Sequence, residues 1–172
     1  MLFISVFKSI IFKLLNRNLQ SKLYRNVYAT SKISVKEKSC MKIGAGLLLN
    51  SNAFLCSTGS GRLIIGNNVS FNRNTICVSR GETIIEDEVS IGPNCCIYDH
   101  NHNFGKDGKA IGFTTGTIKI GKNTWIGANC TILANTIIGD NCVIAAGTVV
   151  KGVIPSNSIV KMDSTVKISE LK

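Results

Sequence analysis

The sequence predicts an all-β fold, a parallel β-helix of about five triangular coils, and two observations carry that expectation. From Ile120 the chain reads in strict sixes: IGKNTW, IGANCT, ILANTI, IGDNCV, IAAGTV, VKGVIP. Each block opens on an aliphatic β-branched residue (Ile120, Ile126, Ile132, Ile138, Ile144, Val150), and the fifth position is mostly small: Thr124, Cys130, Thr136, Cys142, Thr148, then Ile154. The second observation is that the same frame recurs upstream in broken form. Ile65, Phe71 and Cys77 are six apart, as are Ile85, Ile91 and Ile97, with Ile43, Leu49 and Leu55 as an earlier set. Neither a helical period nor simple alternation gives six. Three short strands per coil do, each pointing its first residue inward, with Gly, Asn and Asp turning the corners. Stacked coils bury one aliphatic column and pair their backbones from coil to coil.

Length and composition fit this. A chain of 172 residues, 44% hydrophobic with two prolines, is long enough for one cored domain. The expected organisation is a basic lead-in over 1–42, the β-helix over 43–155 with a loop excursion at 98–117, and a cap or tail over 156–172.

The formal net charge of +10 is unevenly spread. Residues 1–42 hold nine Lys/Arg and one acid, whereas residues 43–172 hold eleven and nine. The body lacks the interleaved basic and aromatic residues expected of a nucleic-acid surface, so no nucleic-acid partner is expected. In residues 1–25, Phe3, Ile4, Phe7, Ile10, Ile11, Leu14 and Leu15 fall on one helical face, with Lys8 and Lys13 opposite. The lysines break any apolar run long enough to span a bilayer. There is neither a basic start nor a small-residue cleavage site, which argues against a signal peptide. Two readings of this amphipathic helix stand: a cap on the open end of the coil, or a peripheral anchor on an anionic membrane. Seven cysteines without CxxC spacing suggest reduced core residues in a cytoplasmic protein.

The blocks IGKNTWIG, AAGTVV and IPSNSIV resemble those of the hexapeptide-repeat acyltransferases, the galactoside, maltose and capsule or lipopolysaccharide O-acetyltransferases in particular. The resemblance covers roughly 61–160 and implies a left-handed parallel β-helix, acetyl-CoA as acyl donor, a saccharide acceptor, no metal, and a homotrimer with active sites between neighbouring prisms.

Chemical weight falls on the break in the repeat between Ile97 and Ile118, which holds both histidines, His100 and His102. A long excursion from a regular solenoid is usually functional. Imidazole suits the removal of a hydroxyl proton near neutral pH. Counted from Gly92-Pro93-Asn94, the histidine of the similar sugar acetyltransferases falls at His102, with His100 the alternative. Asp99 is either the carboxylate that orients an imidazole or a turn residue.

The resemblance further implies Asn72 as an acceptor contact, with Asn74 beside it, although both also suit turns. It puts Trp125 next to the reacting centre, the Ala128 N–H at the oxyanion, and Ala146 on the pantetheine arm. Lys151 or Lys167 would meet the coenzyme phosphates. An acceptor-contacting acid of the galactoside enzymes would fall at Arg80, and its replacement by a base argues against a simple galactoside. The γ-type carbonic anhydrases, which use the same coil, need three histidines on zinc, and this chain has two. N-acetylation of an amine and a non-catalytic scaffold are the competing readings of function.

Overall fold

The computed structural model describes residues 18–21 and 26–162. The expected helix within 1–25 and the expected phosphate contact Lys167 lie outside the described residues, apart from 18–21, which are not helical.

Short parallel strands wind into a three-faced prism. The first face stacks Leu19–Ser21, Cys40–Ile43, Arg62–Ile65, Glu82–Ile85 and Thr117–Ile120. The second is a seven-stranded sheet of two-residue strands, Asn26–Val27, Leu48–Leu49, Ser70–Phe71, Ser90–Ile91, Trp125–Ile126, Val143–Ile144 and Ile159–Val160. The third stacks Lys32–Val35, Phe54–Ser57, Ile76–Ser79 and Cys96–Tyr98. Two longer strands, Thr131–Ile138 and Val149–Ile154, bend from the third face onto the first and join the two faces into one sheet.

The register follows the hexads. Ile43, Ile65, Ile85, Ile120, Ile138 and Ile154 pair in succession down the first face, which makes five turns between Ile43 and Pro155. The second face aligns Leu49, Phe71, Ile91, Ile126 and Ile144; the third aligns Leu55, Cys77, Ile97, Ile132 and Val150. Nearly all of these side chains are fully buried. Each fully buried Leu, Ile or Phe among them contributes about 1.5–3 kcal/mol of hydrophobic stabilisation. The prism also runs beyond the expected 43–155. Val27 and Ile33 extend the second and third columns upward, and Val160 adds a rung below. The outward residues between those early positions are basic and polar, which masks the period in the sequence.

Turns fall where the hexads place them. The fourth position is left-handed at Asn68, Asn74, Asn94, Asn123, Asn129, Asn135 and Asn141, with φ between 54 and 65°. Asparagine adopts this region at less cost than most residues. The amides also stack: Asn52 donates to Asn74 at 3.2 Å and Asn74 to Asn94 at 3.0 Å, and on another edge Asn123, Asn141 and Asn157 do the same. Gly92 has a second reason to be glycine, because a Cβ there would come within 2.7 Å of the Gly127 backbone.

The fifth position is more than small. Thr75 and Thr124 donate their hydroxyls to the carbonyls of Gly92 and Gly139 in the next coil, and the thiols of Cys95, Cys130 and Cys142 point to those of Gly127, Ala145 and Pro155. The cysteines are free, as expected of core residues, with Cys77, Cys95, Cys130 and Cys142 fully buried or nearly so.

All departures from strict sixes fall on one corner, between the third face and the first. Successive inward residues there are Leu55 and Ile65, Cys77 and Ile85, and Ile97 and Ile120, while the other two corners keep six throughout. The 98–117 excursion leaves from this corner as an antiparallel hairpin of His100–Phe104 and Ala110–Thr115.

Candidate active site

The hairpin is rooted by a buried carboxylate. Asp99 has no exposed surface, and four donors converge on it. Oδ2 accepts from Ser79 Oγ at 2.6 Å and Thr83 Oγ1 at 3.0 Å; Oδ1 accepts from the Arg80 N–H at 2.8 Å and from His100 Nδ1 at 3.2 Å. The Asp99 carbonyl accepts the Gly116 N–H where the hairpin returns. Such complete satisfaction is what makes a buried carboxylate tolerable. Of the two histidines, the one whose ring meets the Asp99 carboxylate is His100.

His100 is nearly buried, set edge-on between Tyr98 (5.8 Å) and Phe113 (5.6 Å). Burial pushes the Tyr98 phenol above its ordinary pKa. His102 lies two residues along the same strand, on the same side of the hairpin. It is exposed and tilted against Phe113 at 4.5 Å. Phe113 also carries the Arg80 guanidinium 3.7 Å from its ring centre. Tyr98, His100, Asn101, His102 and Leu133 line a cleft of about 350 Å³. A depression of about 380 Å³ elsewhere, lined by Thr30, Lys32, Asn52, Ala53 and Phe54, holds neither a histidine nor a carboxylate.

The other expected site residues lie on different parts of the prism. Asn72 and Asn74 sit on the corner between the second and third faces, and Ala128 and Ala146 follow on that corner two and three coils below. The link is direct: the Arg73 carbonyl accepts the Asn94 N–H, Pro93 that of Asn129, and Ala128 that of Gly147. Ala146 N packs against Gly127, within 2.6 Å of where a Cβ would stand. Trp125 projects from the second face, 57% exposed, in register with Ser90 and Val143. Lys151 follows Val150, the partner of Ile132, in the strand that bends from the third face onto the first. Within one chain, then, the histidines occupy one corner and the Asn72–Ala146 column another. Among the described residues no His, Cys, Asp and Glu side chains cluster as a metal site.

Sequence reasoning missed Ser79, Thr83 and Phe113. Thr83 carried a signal, since it is a polar residue in register between Leu63 and Ile118, where the inner column above it is apolar. Phe113 carried none, because its neighbours are set by the hairpin register, where it opposes His102.

Residues 117–152 match the family model described as bacterial transferase hexapeptide (six repeats). No curated protein sequence matches the chain. Among solved structures it is similar to a hexapeptide-repeat acetyltransferase from Vibrio cholerae complexed with acetyl coenzyme A, at 18% identity and TM-score 0.61 over 90% of this chain and 70% of that one. A galactoside acetyltransferase in complex with coenzyme A shares 24% identity, TM-score 0.59, over 88% of this chain and 64% of its own. An N-acyltransferase from Bacillus cereus in complex with dTDP and coenzyme A shares 17% identity, TM-score 0.69, over 88% and 82%. The chain spans less than two thirds of the galactoside enzyme's length. By its repeat and its fold, this chain carries the left-handed β-helix of the bacterial hexapeptide-repeat acetyltransferases to which it is similar.

Proposed function

We propose that the protein is an O-acetyltransferase that moves the acetyl group of acetyl-CoA to a sugar hydroxyl of a surface polysaccharide or its precursor. The observation that carries this is the hairpin, which sets both histidines beside a cleft and roots His100 on a buried carboxylate. His102 is the general base. Its exposed ring takes the hydroxyl proton as the sugar oxygen attacks the thioester carbonyl carbon. The negative charge that develops on the carbonyl oxygen is held by the Ala128 N–H. Collapse of the tetrahedral intermediate breaks the carbon–sulfur bond, and the departing coenzyme thiolate takes the proton back from the imidazolium.

The division of residues between two corners fits a homotrimer. A histidine corner of one copy would meet the Asn72, Trp125, Ala128 and Ala146 side of the next, with Lys151 toward the coenzyme phosphates. The proposed setting is the cytoplasm, where the donor is available, with residues 1–25 as a peripheral membrane contact. Two structural neighbours act on different acceptors, one a galactoside enzyme and one an N-acyltransferase. Transfer to an amine is therefore the competing chemistry.

A second reading of the base is favoured by the Asp99 contact, which gives His100 a carboxylate of the kind that fixes a catalytic tautomer. The test is transfer of labelled acetyl from acetyl-CoA to a glycan and amine panel by wild type, His102→Ala and His100→Ala. His102→Ala is expected to lower kcat by about 10²–10⁴ with coenzyme binding intact. The larger loss in His100→Ala would reassign the base, and failure of the wild type to bind the coenzyme would end the acyltransferase reading.

A further inference from the structure

Resting on the acyltransferase reading, we infer that the acceptor carries an oxyanion, a carboxylate or a phosphate, and that Arg80 binds it. Three observations converge on this side chain. First, its position is fixed. The Arg80 N–H is bound to Asp99 Oδ1, the same oxygen that holds His100 Nδ1, so one buried atom sets the distance between the arginine and the histidine hairpin. Second, its guanidinium is aimed at the site. It lies 3.7 Å from the centre of the Phe113 ring, and Phe113 is 4.5 Å from the ring of His102. Third, no carboxylate of the described residues forms an ion pair with it. The ion pairs of the described residues are Arg62–Glu82, His100–Asp99, Lys109–Asp107 and Lys119–Glu86, and none includes Arg80. Glu37 is the nearest acid, its carboxylate and the Arg80 guanidinium both lying within about 4 Å of where a Gly59 Cβ would stand, but the two form no ion pair.

Stacking uses the flat face of a guanidinium and leaves its N–H edge free to grip an oxyanion with two parallel hydrogen bonds. Half-buried against Phe113, Arg80 is also partly shielded from water, which strengthens such a contact. The geometry therefore selects acceptors bearing a negative group near the hydroxyl presented to the histidines. A uronic acid and a sugar phosphate share that chemistry.

The experiment compares glycans matched in all but charge (neutral, carboxylated and phosphorylated) as acceptors for wild type, Arg80→Gln and Arg80→Lys. The charged acceptors are expected to be favoured about tenfold or more in kcat/KM. Arg80→Gln should erase that preference through acceptor KM, leaving KM for acetyl-CoA unchanged, while Arg80→Lys keeps part of it. The carboxylated and phosphorylated arms tell the two sources apart. Equal use of neutral and charged glycans, a uniform loss across all acceptors, or a rise in the KM for acetyl-CoA would each overturn the assignment.

Calorimetric titration with glucuronate and with glucose 6-phosphate, glucose serving as control, separates this inference from the reading beneath it. If no glycan is acetylated, the reading as a sugar O-acetyltransferase falls, while anion binding that is lost in Arg80→Gln sustains the subsite. Wild type that binds neither anion better than glucose overturns it.

Discussion

Asp99 holds His100, not His102: its Oδ1 accepts from His100 Nδ1 at 3.2 Å, while the His102 ring rests on Phe113. The two histidines, equivalent by composition, thereby acquire different environments. One is locked to the root of the hairpin beneath the surface, and the other is presented at it.

Replacing Asp99 with Asn should expose this division. The carboxylate accepts from four donors, and an amide offers one oxygen and a competing NH₂. Thermal unfolding should show a loss of about 1–3 kcal/mol, the cost of leaving buried donors unsatisfied. The drop in kcat should be smaller than that of His102→Ala. A loss of equal size would mean that His100 is the base.

Asn72 and Asn74 should separate in the same assays. Asn74 has φ 58° and links Asn52 to Asn94. Asn74→Ala should therefore cost about 1–2 kcal/mol, and Asn74→Gly less, because glycine accepts the left-handed turn. Exposed Asn72, whose amide oxygen accepts only from the neighbouring Arg73 N–H, should tolerate Ala within about 0.5 kcal/mol while the acceptor KM rises. Unchanged acceptor KM would remove it from the site.

The thiols should divide by burial. Burial pushes the Cys77 thiol up, and that of Cys95 to about 11. At pH 8, a maleimide should label half-exposed Cys40 and Cys96 and spare Cys77 and Cys95 until the protein unfolds. Because the folded-state value of Cys95 lies above its ordinary 9.0, the unfolded chain releases the proton first. The thiol's contribution to stability is intact below pH 9 and lost between about pH 9 and pH 11, which alkaline unfolding curves would register.

Much of the fold was legible because a triangular coil repeats one rule at every face. An inward aliphatic residue every sixth position sets the register, and the asparagine three places on supplies the left-handed turn. Ile120, Ile126 and Ile132 state that rule as plainly in sequence as in space. The rule was hidden ahead of Ile43, where Val27 and Ile33 keep the columns but the outward residues are basic and polar. The fifth position was read as small, which is half of its role. That Thr75 or Cys95 also donates to a carbonyl one coil below depends on the stacking distance.

By itself the sequence determined the coil, its period, the excursion at 98–117 and the two histidines within it, all of which rest on spacing along one chain. Only the tertiary structure decided that Asp99 belongs to His100, that Ser79 and Thr83 sustain it, and that Arg80 and His102 share Phe113. It also put the histidines and the Asn72–Ala146 column on separate corners. Apart from the neighbours Asp99 and His100, these side-chain contacts join residues 11 to 33 positions apart, across coils or across a hairpin. No period reports such pairings, because they are fixed by where the chain returns after each turn and by the pairing of the hairpin strands.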